Sequence, residues 1–260
     1  MIHADDKLTQ RIRQALVGEK LEVRNGDILA ITSKIVAISE GRIVELNRIA
    51  PSKKARSLSN KYHILPEICE LIIKEADSII GGIDGVILTL KNSTLMANAG
   101  IDKKNAGPGN VVLHPENSTR TAEQMRDDFL RTEGKRIGVV ITDSRTQPLR
   151  VGTIGLALAV SGFDPITDER GKPDLFGRPL LITRRALADE LATAAEVLMG
   201  ETDECVPVVL IRNAPVTMTD STPLPSTFFV PPSICFYTKI LSKINCKPAS
   251  GNSKLKSKRG

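Results

Sequence analysis

The sequence predicts a mixed α/β (α+β) fold in which helices flank β-sheets. Short runs of aliphatic and β-branched residues, of strand length, alternate with longer segments whose apolar residues recur at helical spacing. The clearest run covers residues 138–141 and stops abruptly at the polar segment 142–145. The chain is 41% hydrophobic and 25% charged, which is typical of a globular protein with one large domain or two modest ones.

The first half of the chain supplies elements of both kinds. The predicted elements are an amphipathic helix at 6–17, a turn at 25–27, a buried strand at 28–31, an extended segment at 36–38 and a strand at 43–46. Two helices are then predicted at 51–60 and 66–80, and Gly81 and Gly82 are expected to cap the second.

The second half continues the alternation. The predicted elements are strands at 85–90, 94–96 and 111–113, a helix at 118–131, strands at 138–141 and 152–162, a helix at 183–199 with Gly200 at its C-cap, and a strand at 206–211. The segment 163–177 is long, polar and irregular, which is typical of functional loops. Extended chain is expected after Pro215.

Composition argues against nucleic-acid binding by base stacking. The chain has no Trp and only 3% aromatic residues, so its core must be aliphatic. The net charge of +6 is concentrated in residues 239–260, which contain seven basic side chains and no acidic ones, and the rest of the chain is near −1. This tail is predicted to be basic, solvated and disordered; binding to nucleic acid or to an anionic membrane is the alternative.

Several site classes are excluded by their missing motifs. Four scattered cysteines predict neither a zinc site nor a disulfide framework, and the chain lacks a Walker motif and a dinucleotide-binding glycine motif. The three histidines stand in no nucleophile-like context. The polar N-terminus does not resemble a signal peptide, and no apolar run could span a bilayer, so a cytoplasmic location without membrane contact is expected.

The polar segment Thr142-Asp143-Ser144-Arg145 is the first candidate site. A carboxylate, a hydroxyl and a guanidinium at the end of a strand suit a metal and a phosphate, because ligands of open α/β sheets bind at strand carboxyl ends. Asp and Ser also commonly cap helix N-termini, so a strand followed by a helix cap remains the alternative.

Three acidic clusters, each after an apolar element, could together form a metal site. They are Asp102, Asp143 with Ser144, and Glu201 with Asp203 and Glu204. Hard divalent cations prefer such oxygen ligands and share them with substrate phosphates. Three unrelated surface loops are the alternative. Arginines near these clusters could bind anions or could form surface salt bridges; they are Arg145, Arg150, Arg170 and Arg178.

A set of ordered motifs over about residues 6–213 resembles the coenzyme F420-0:L-glutamate ligases, or gamma-glutamyl ligases, and among them a bacterial branch described as folate-metabolism gamma-glutamate ligases. The motifs are Gly26-Asp27-Ile28-Leu29 with Ser33-Lys34-Ile35-Val36 and Glu40-Gly41-Arg42; Asn98-Ala99-Gly100-Ile101-Asp102 with Asn105; Val140-Ile141-Thr142-Asp143-Ser144; 170–180; Ala188-Asp189-Glu190-Leu191; and Met199-Gly200-Glu201. Each motif alone is common, whereas their shared order is specific to the family.

The resemblance implies a two-part α/β fold, a single ligase unit over residues 1–238 with one or two subdomains, and a homodimer. It implies a GTP-dependent enzyme that joins L-glutamate to a carboxylate acceptor, either coenzyme F420-0 or a folate-like molecule. It also implies two divalent cations, Mg²⁺ or Mn²⁺, with K⁺ as a helper. Asp102 and Asp143 would hold one ion, and Ser144 and Glu201 the other.

The resemblance also implies nucleotide contacts and a mechanism. The residues that would contact GTP are Ser33, Lys34, Asn105, Met199, Gly200, Glu201, Thr202 and Asp203. The acceptor carboxylate would attack the γ-phosphate, and glutamate would then attack the acyl phosphate. Asp143, Arg145 and Arg150 are the candidate catalytic residues, with Arg178 as a further anion contact.

Three departures from the family pattern accompany the resemblance. The family begins with a strand and a Leu-Pro-x-Ile-like nucleotide contact, whereas Met1 here stands almost at the first helix, so that contact is missing or the start codon is misplaced. Ile38 replaces a nucleotide-contacting lysine, and the family pattern Thr-Asp-Thr-x-Gly-Arg-Pro-Trp-Arg lacks its Gly-Arg and Trp at 142–150. The alternative function is therefore a non-catalytic homologue that binds nucleotide or metal.

Overall fold

Helices and strands alternate along the residues that the computed structural model describes, 2–4 and 6–237. The helices in this part of the chain are α1 Leu8–Gly18, α2 Ser33–Ser39, α3 Lys53–Tyr62, α4 Pro66–Glu75, α5 Ser118–Glu133 and α6 Leu187–Met199. The strands there are β1 Ile28–Thr32, β2 Ile43–Glu45, β3 Ser78–Ile83, β4 Val86–Lys91, β5 Thr94–Ala97, β6 Asn110–Val112, β7 Gly138–Thr146, β8 Thr153–Ser161, β9 Thr167–Asp168, β10 Arg184–Arg185 and β11 Val208–Ile211. The predicted α+β fold class is confirmed.

A four-stranded mixed sheet in the order β11-β1-β7-β8 forms the first centre of the fold. β1 runs parallel to β7, whereas the other neighbouring pairs are antiparallel. Both faces of this sheet are covered, because Leu29 and Ile31 pack with α1 and α5 while Ile28 and Ala30 pack with α6. This double burial explains why the strand sequences are continuous apolar runs.

A second hydrophobic cluster brings together α3, α4 and the three-stranded sheet β3-β4-β5. Tyr62, Ile68, Ile72 and Ile87 are among its buried members. This cluster and the four-stranded sheet both lie within the compact unit Met1–Phe229.

The chain also has a second compact unit, Val230–Gly260, of which residues 230–237 are described. Within it the rings of Phe236 and Tyr237 meet edge to face with centroids 5.6 Å apart. The predicted basic tail at 239–260 lies outside the described residues. No helix in the described part of the chain combines the length and apolarity needed to cross a membrane.

Two predicted elements are wrong, both because tertiary packing outweighs local pattern. The extended segment expected at 36–38 is part of α2, whose residues Ile35, Val36 and Ala37 are buried. The helix expected at 66–80 ends at Glu75, and β3 follows at once. Gly82 does not cap that helix but pairs with Ile87, and a Cβ there would lie 2.5 Å from the backbone oxygen of Val86.

Two further element boundaries differ from the prediction. The last helix begins at Leu187 and not at 183, because Arg184–Arg185 pair with Thr167–Asp168 as a short antiparallel ladder. The strand expected to stop at Ile141 continues through Thr146, paired with β8. The expected C-cap at Gly200 is confirmed, with a φ of 66°.

His114 is a buried base and gives the fold a predictable response to acid. Its side chain is 5% exposed, Nδ1 donates a hydrogen bond to the backbone oxygen of Pro115 at 3.2 Å, and Nε2 has no partner within the described residues. Burial, assisted by the charge of Lys91, lowers the pKa of His114 to about 4. The unfolded chain therefore binds this proton at a higher pH than the folded chain does.

We expect the free energy of unfolding to fall by about 2 kcal/mol between pH 7 and pH 5 because of His114 alone. Urea unfolding at the two pH values isolates this contribution as the difference between the unaltered protein and His114→Gln, because the raised pKa values of Asp143 and Glu196 change the total in the opposite direction. His114→Gln should remove most of this dependence, whereas His63→Gln, at an exposed position, should retain it. An equal dependence in both variants would contradict the assignment to His114.

Candidate active site

Parallel strands β1 and β7 bring the first part of the site together. The register pairs Thr32 with Thr142, so Ser33 follows β1 next to Asp143. The Ser33 hydroxyl donates a hydrogen bond to the Asp143 carboxylate, and the Ser144 backbone N–H donates another to Asp143 Oδ1 at 3.0 Å. Asp143 and Ser144 lie within β7, and the alternative interpretation as a helix N-cap is wrong.

A register shift between Ile141 and Thr142 helps to position Asp143 and Ser144. The shift occurs in the pairing of β7 with β8, and residues 138–142 before and at it are all buried. Beyond it the side chains of β7 alternate between partly buried and exposed. A bulge of this kind re-aims side chains, and here it presents Asp143 and Ser144 at the edge of the apolar core.

A strained turn at residues 98–100 precedes Asp102 and positions it. Asn98, Ala99 and Gly100 have φ values of 51°, 56° and 74°, a left-handed run that costs free energy for the two residues that have a Cβ. A Cβ on Gly100 would lie 2.8 Å from Cδ2 of His114, so only glycine fits there. Asp102 is then fixed by two backbone hydrogen bonds with Val112, of 2.9 and 2.8 Å.

Two lysines pair with the acidic side chains of the site. Lys34 Nζ lies 2.8 Å from Asp102 Oδ2, and Lys104 Nζ lies 2.9 Å from Glu201 Oε2. The backbone N–H of Lys104 also donates a hydrogen bond to Asp102 Oδ1 at 2.8 Å. Residues from the segments after β1, before β6 and after α6 therefore meet at one point.

The loop after α6 supplies Glu201 and is joined to the Asp102 segment. Glu201 Oε1 accepts a hydrogen bond from Thr153 Oγ1 at 2.8 Å, and the Ser144 hydroxyl also donates to Glu201. Asn105 Nδ2 donates to the backbone oxygen of Thr202 at 3.0 Å. Burial would raise the pKa of Glu201, but the donors Lys104, Thr153 and Ser144 outweigh it and lower the pKa to about 2.

Asp143 has the opposite electrostatic environment. Burial raises its pKa to about 6, and the nearby negative charge of Asp102 adds to this effect. The hydrogen bonds from Ser33 and Ser144 and the charge of Lys34 oppose the rise without cancelling it. A bound cation would lower the pKa of Asp143 again, because positive charge favours the ionised carboxylate.

Glu196 is a member of the site that sequence reasoning missed. It lies on α6, next to the carboxylate of Glu201, and both its carboxylate oxygens are shielded from solvent with no hydrogen-bond partner among the described residues. Burial, followed by the proximity of Glu201 and Asp143, raises its pKa to about 7. A hydrogen bond between Glu196 and Glu201 requires a proton on one of the two carboxyl groups, and the raised pKa of Glu196 and lowered pKa of Glu201 place it on Glu196.

A signal for Glu196 was present in the sequence. Ala188, Ala192, Ala195 and Met199 form the buried stripe of α6, and Glu196 stands four residues after Ala192 on the edge of that stripe. A carboxylate next to a buried stripe needs a partner. Lys104 and Thr153 were also missed as site residues, because nothing in their local sequence distinguishes them from surface side chains.

The remaining candidates lie around this cluster. Met199 is 6% exposed and packs in the core, so its side chain is not available to a ligand, whereas Asp203 is exposed. Within the described residues, neither Arg145 nor Arg150 forms a hydrogen bond or an ion pair with the acidic side chains of the site. Arg178 is exposed and its backbone N–H donates to Asp174.

The donor set fits divalent cations that are shared with a substrate. Four carboxylates, those of Asp102, Asp143, Glu196 and Glu201, face two ammonium groups, which leaves two negative charges when all are ionised. In the described part of the chain, no three His, Cys, Asp or Glu side chains are arranged to hold an ion by themselves. Each predicted ion would therefore need oxygen ligands from a substrate phosphate or water.

Comparisons with known proteins show the family to which this chain belongs. Residues 1–213 match the family described as F420-0:Gamma-glutamyl ligase. The chain is 40% identical over 198 residues to the coenzyme F420:L-glutamate ligase of Methanopyrus kandleri, covering 76% of this chain and 79% of that protein. It is 36% identical over 216 residues to the protein of the same name from Methanothermobacter thermautotrophicus, covering 83% and 86%. The matched region contains the whole acidic cluster.

Proposed function

Because this chain belongs to the F420-0:gamma-glutamyl ligase family and is therefore a ligase, we propose that it joins L-glutamate to coenzyme F420-0 through a γ-glutamyl-type amide bond at the expense of GTP. The convergence of Asp102, Asp143, Ser144 and Glu201 from distant segments is the observation that carries this proposal. A folate-like carboxylate is the second acceptor to be tested.

The proposed reaction has two balanced steps. A carboxylate oxygen of the acceptor attacks the γ-phosphorus of GTP, and the bond from that phosphorus to the β–γ bridging oxygen breaks, which gives an acyl phosphate and GDP. The deprotonated amine of glutamate then attacks the acyl carbon, the carbon–oxygen bond to phosphate breaks, and inorganic phosphate leaves. The amine proton passes to solvent or to a carboxylate of the site.

The chain's own residues have distinct tasks in this scheme. Asp102 with Asp143, and Ser144 with Glu201, would hold two Mg²⁺ or Mn²⁺ ions, and Glu196 adds negative charge beside the second pair. When bound, these ions supply positive charge that offsets the charge on the transferred phosphoryl group. Lys34 and Lys104 present ammonium groups at the same place and can bind phosphate oxygens directly.

The nucleotide would lie along Ser33, Lys34, Asn105 and the loop 199–203. Asn105 already joins that loop through the backbone oxygen of Thr202, and Lys104 Nζ lies 3.4 Å from the backbone oxygen of Glu201. These contacts hold the loop against the Asp102 segment. Preorganised donors and carboxylates of this kind lower the reorganisation that phosphoryl transfer requires.

The direct test is product formation by the purified protein. It is incubated with L-glutamate, coenzyme F420-0 or a folate-like acceptor, and GTP or ATP, with Mg²⁺ or Mn²⁺ and with or without K⁺. Mass spectrometry should detect an acceptor that has gained one or more glutamyl residues, together with GDP and phosphate. GTP binding without amide formation from either acceptor would overturn the proposal in favour of the non-catalytic homologue.

The irregular segment 163–185 supports a homodimer. Its tip is an ordered turn in which Asp174 accepts from and donates to its neighbours, yet Leu175, Phe176, Leu181 and Ile182 are all at least 78% exposed. An ordered loop that presents a group of large apolar side chains to solvent is typical of a protein–protein contact. We propose that a second copy of the chain covers this loop.

We expect Phe176→Ser combined with Leu175→Ser to shift the protein from dimer to monomer, since each deleted large side chain removes about 1.5–3 kcal/mol of burial. Light scattering after size-exclusion chromatography measures the mass. Val17→Ser is the matched control, because Val17 is 76% exposed on α1. A dimer of unchanged stability in the double variant would refute the contact.

A further inference from the structure

Asp189, in the motif at 188–191, lies in the first turn of α6 and is hydrogen-bonded to the neighbouring strand. Its Oδ1 accepts a hydrogen bond from the backbone N–H of Ala157 in β8 at 2.9 Å. Four residues later, Thr193 Oγ1 donates a hydrogen bond to the backbone oxygen of Gly155 at 2.9 Å. Two side chains of α6 therefore bind two backbone groups of β8.

The spacing of these two contacts matches the geometry of both elements. Residues four apart share one face of a helix and rise about 6 Å along it, while backbone groups two residues apart on a strand point to the same edge and lie about 6.6 Å apart. β8 stands at the end of the four-stranded order, so no strand of the described residues pairs with this edge. Asp189 and Thr193 supply hydrogen bonds that a further strand would otherwise make.

The backbones of α6 and β8 approach too closely for a side chain to fit between them. A Cβ on Gly155 would collide with the backbone oxygen of Ala192, which belongs to a fully buried residue. This contact keeps β8 from moving toward α6, and the two hydrogen bonds oppose movement away from it. The position of β8 residues 155–157 relative to the helix is therefore fixed.

The stretch of β8 that α6 holds is also the stretch that pairs with the site. Residues 155–157 pair with residues 142–144 of β7, which include Asp143 and Ser144. The register shift between β7 and β8 lies immediately beyond this stretch. Register decides which face of a sheet a side chain points to, and a slip of one residue reverses it. The orientation of Asp143 and Ser144 therefore depends on the part of β8 that α6 holds.

Resting on the proposed function, we propose that Asp189 is a positioning residue, which holds β8 in the register that places Asp143 and Ser144 in the site. Thr193 has the same task one helical turn later. Both act through the backbone of β8. The role that this geometry gives to Asp189 requires an acceptor oxygen at this place and does not require a negative charge.

A pair of substitutions separates the oxygen of Asp189 from its charge. Burial raises the pKa of Asp189, and the hydrogen bond from Ala157 and the charge of Arg145 oppose this rise without cancelling it. Asp189→Asn keeps an oxygen at the same place, whereas Asp189→Ala leaves the N–H of Ala157 without its acceptor. An acidic side chain in a first turn also interacts favourably with the helix dipole, which is the alternative role. Glu190→Ala is the matched control, because Glu190 lies in the same turn and pairs with Arg185.

The test combines amide hydrogen exchange and NMR spectroscopy with turnover. In Asp189→Ala we expect the Ala157 amide to exchange at least about tenfold faster and the amide signals of Asp143 and Ser144 to shift in ¹H–¹⁵N spectra. The kcat for amide formation should fall about 10- to 100-fold, with the KM for GTP largely unchanged. Asp189→Asn and Glu190→Ala should remain close to the unaltered protein in all of these quantities.

Thr193→Val is a second variant, which decides the question if Asp189→Ala fails to fold. It removes the hydroxyl donor and keeps the shape of the side chain, so the same signals should shift. Unchanged signals of Asp143 and Ser144 would overturn the inference, as would equal losses in Asp189→Asn and Asp189→Ala, which would assign the effect to charge. An unaltered protein that forms no amide would overturn the proposed function alone, because exchange and the amide signals report on the register without turnover.

Discussion

Replacement of Asp143 by Asn is expected to reduce ligase turnover between about 100-fold and 1,000-fold, the range found when one preorganised electrostatic group is removed from an active site. The substitution preserves shape and leaves an oxygen that can accept the hydrogen bonds from Ser33 and Ser144. It removes a negative charge that interacts with Asp102. The loss should therefore come from weaker cation binding and from poorer neutralisation of the transferred phosphoryl group.

The measurement is kcat for amide formation at saturating GTP, together with a Mn²⁺ titration followed by electron paramagnetic resonance. Asp128→Asn is the matched control, because Asp128 lies on α5 outside the acidic cluster and its side chain pairs with Arg131 three residues later. Thermal unfolding of both variants should remain close to that of the unaltered protein. Full turnover in the Asp143 variant would refute the assigned role of this carboxylate.

The central strands could be predicted from sequence because strands buried on both faces are continuous runs of apolar residues. β1, β8 and the first part of β7 contain almost only aliphatic and small residues, and α6 has its small residues on one stripe. The second half of β7 could not be predicted in the same way. Residues 143–146 are polar and resemble a loop, yet they pair with β8 through the backbone.

The elements that were missed share a physical cause. α2 contains three β-branched residues, Ile35, Val36 and Ile38, which favour strands, but the core covers Val36 and Ala37 and stabilises the helix. The apolar spacing of α4 continues into β3, so the sequence does not show where the helix ends. The pairing of β3 with β4 makes this segment a strand. Local propensity cannot decide such cases, because the deciding contacts come from residues distant in sequence.

The candidate site illustrates the same limit. Acidic clusters after apolar elements could be recognised one by one, but their meeting depends on the parallel pairing of β1 with β7 and on the bridge between Asp102 and Val112. The sequence places Glu196 at the edge of the buried stripe of α6, but only the topology shows that it lies beside Glu201. A glutamate on a solvent-exposed helix would not indicate a functional site.

Replacement of Glu196 by Gln is the second substitution for which a large effect is expected. Gln keeps the size of the side chain but removes one negative charge beside Glu201, so Mn²⁺ should bind about 10- to 100-fold more weakly, the range found for residues that support metal ligands. Stability should move in the opposite direction. Both carboxylate oxygens of Glu196 are buried without a donor, and a neutral amide lowers the cost of burying them.

The opposite signs of these two effects distinguish a cation-binding role from simple damage to the fold. A structural defect would lower the free energy of unfolding and the Mn²⁺ affinity together, whereas the proposed role predicts weaker Mn²⁺ binding in a protein that is equally stable or more stable. Glu190→Gln on the same helix is the control, because Glu190 is paired with Arg185 at 3.0 Å and lies outside the acidic cluster. Calorimetric Mn²⁺ titration and urea unfolding of the two variants give both quantities. An unchanged Mn²⁺ affinity in the Glu196 variant would exclude this residue from the cation site. Its buried carboxylate would then affect only the stability of the fold.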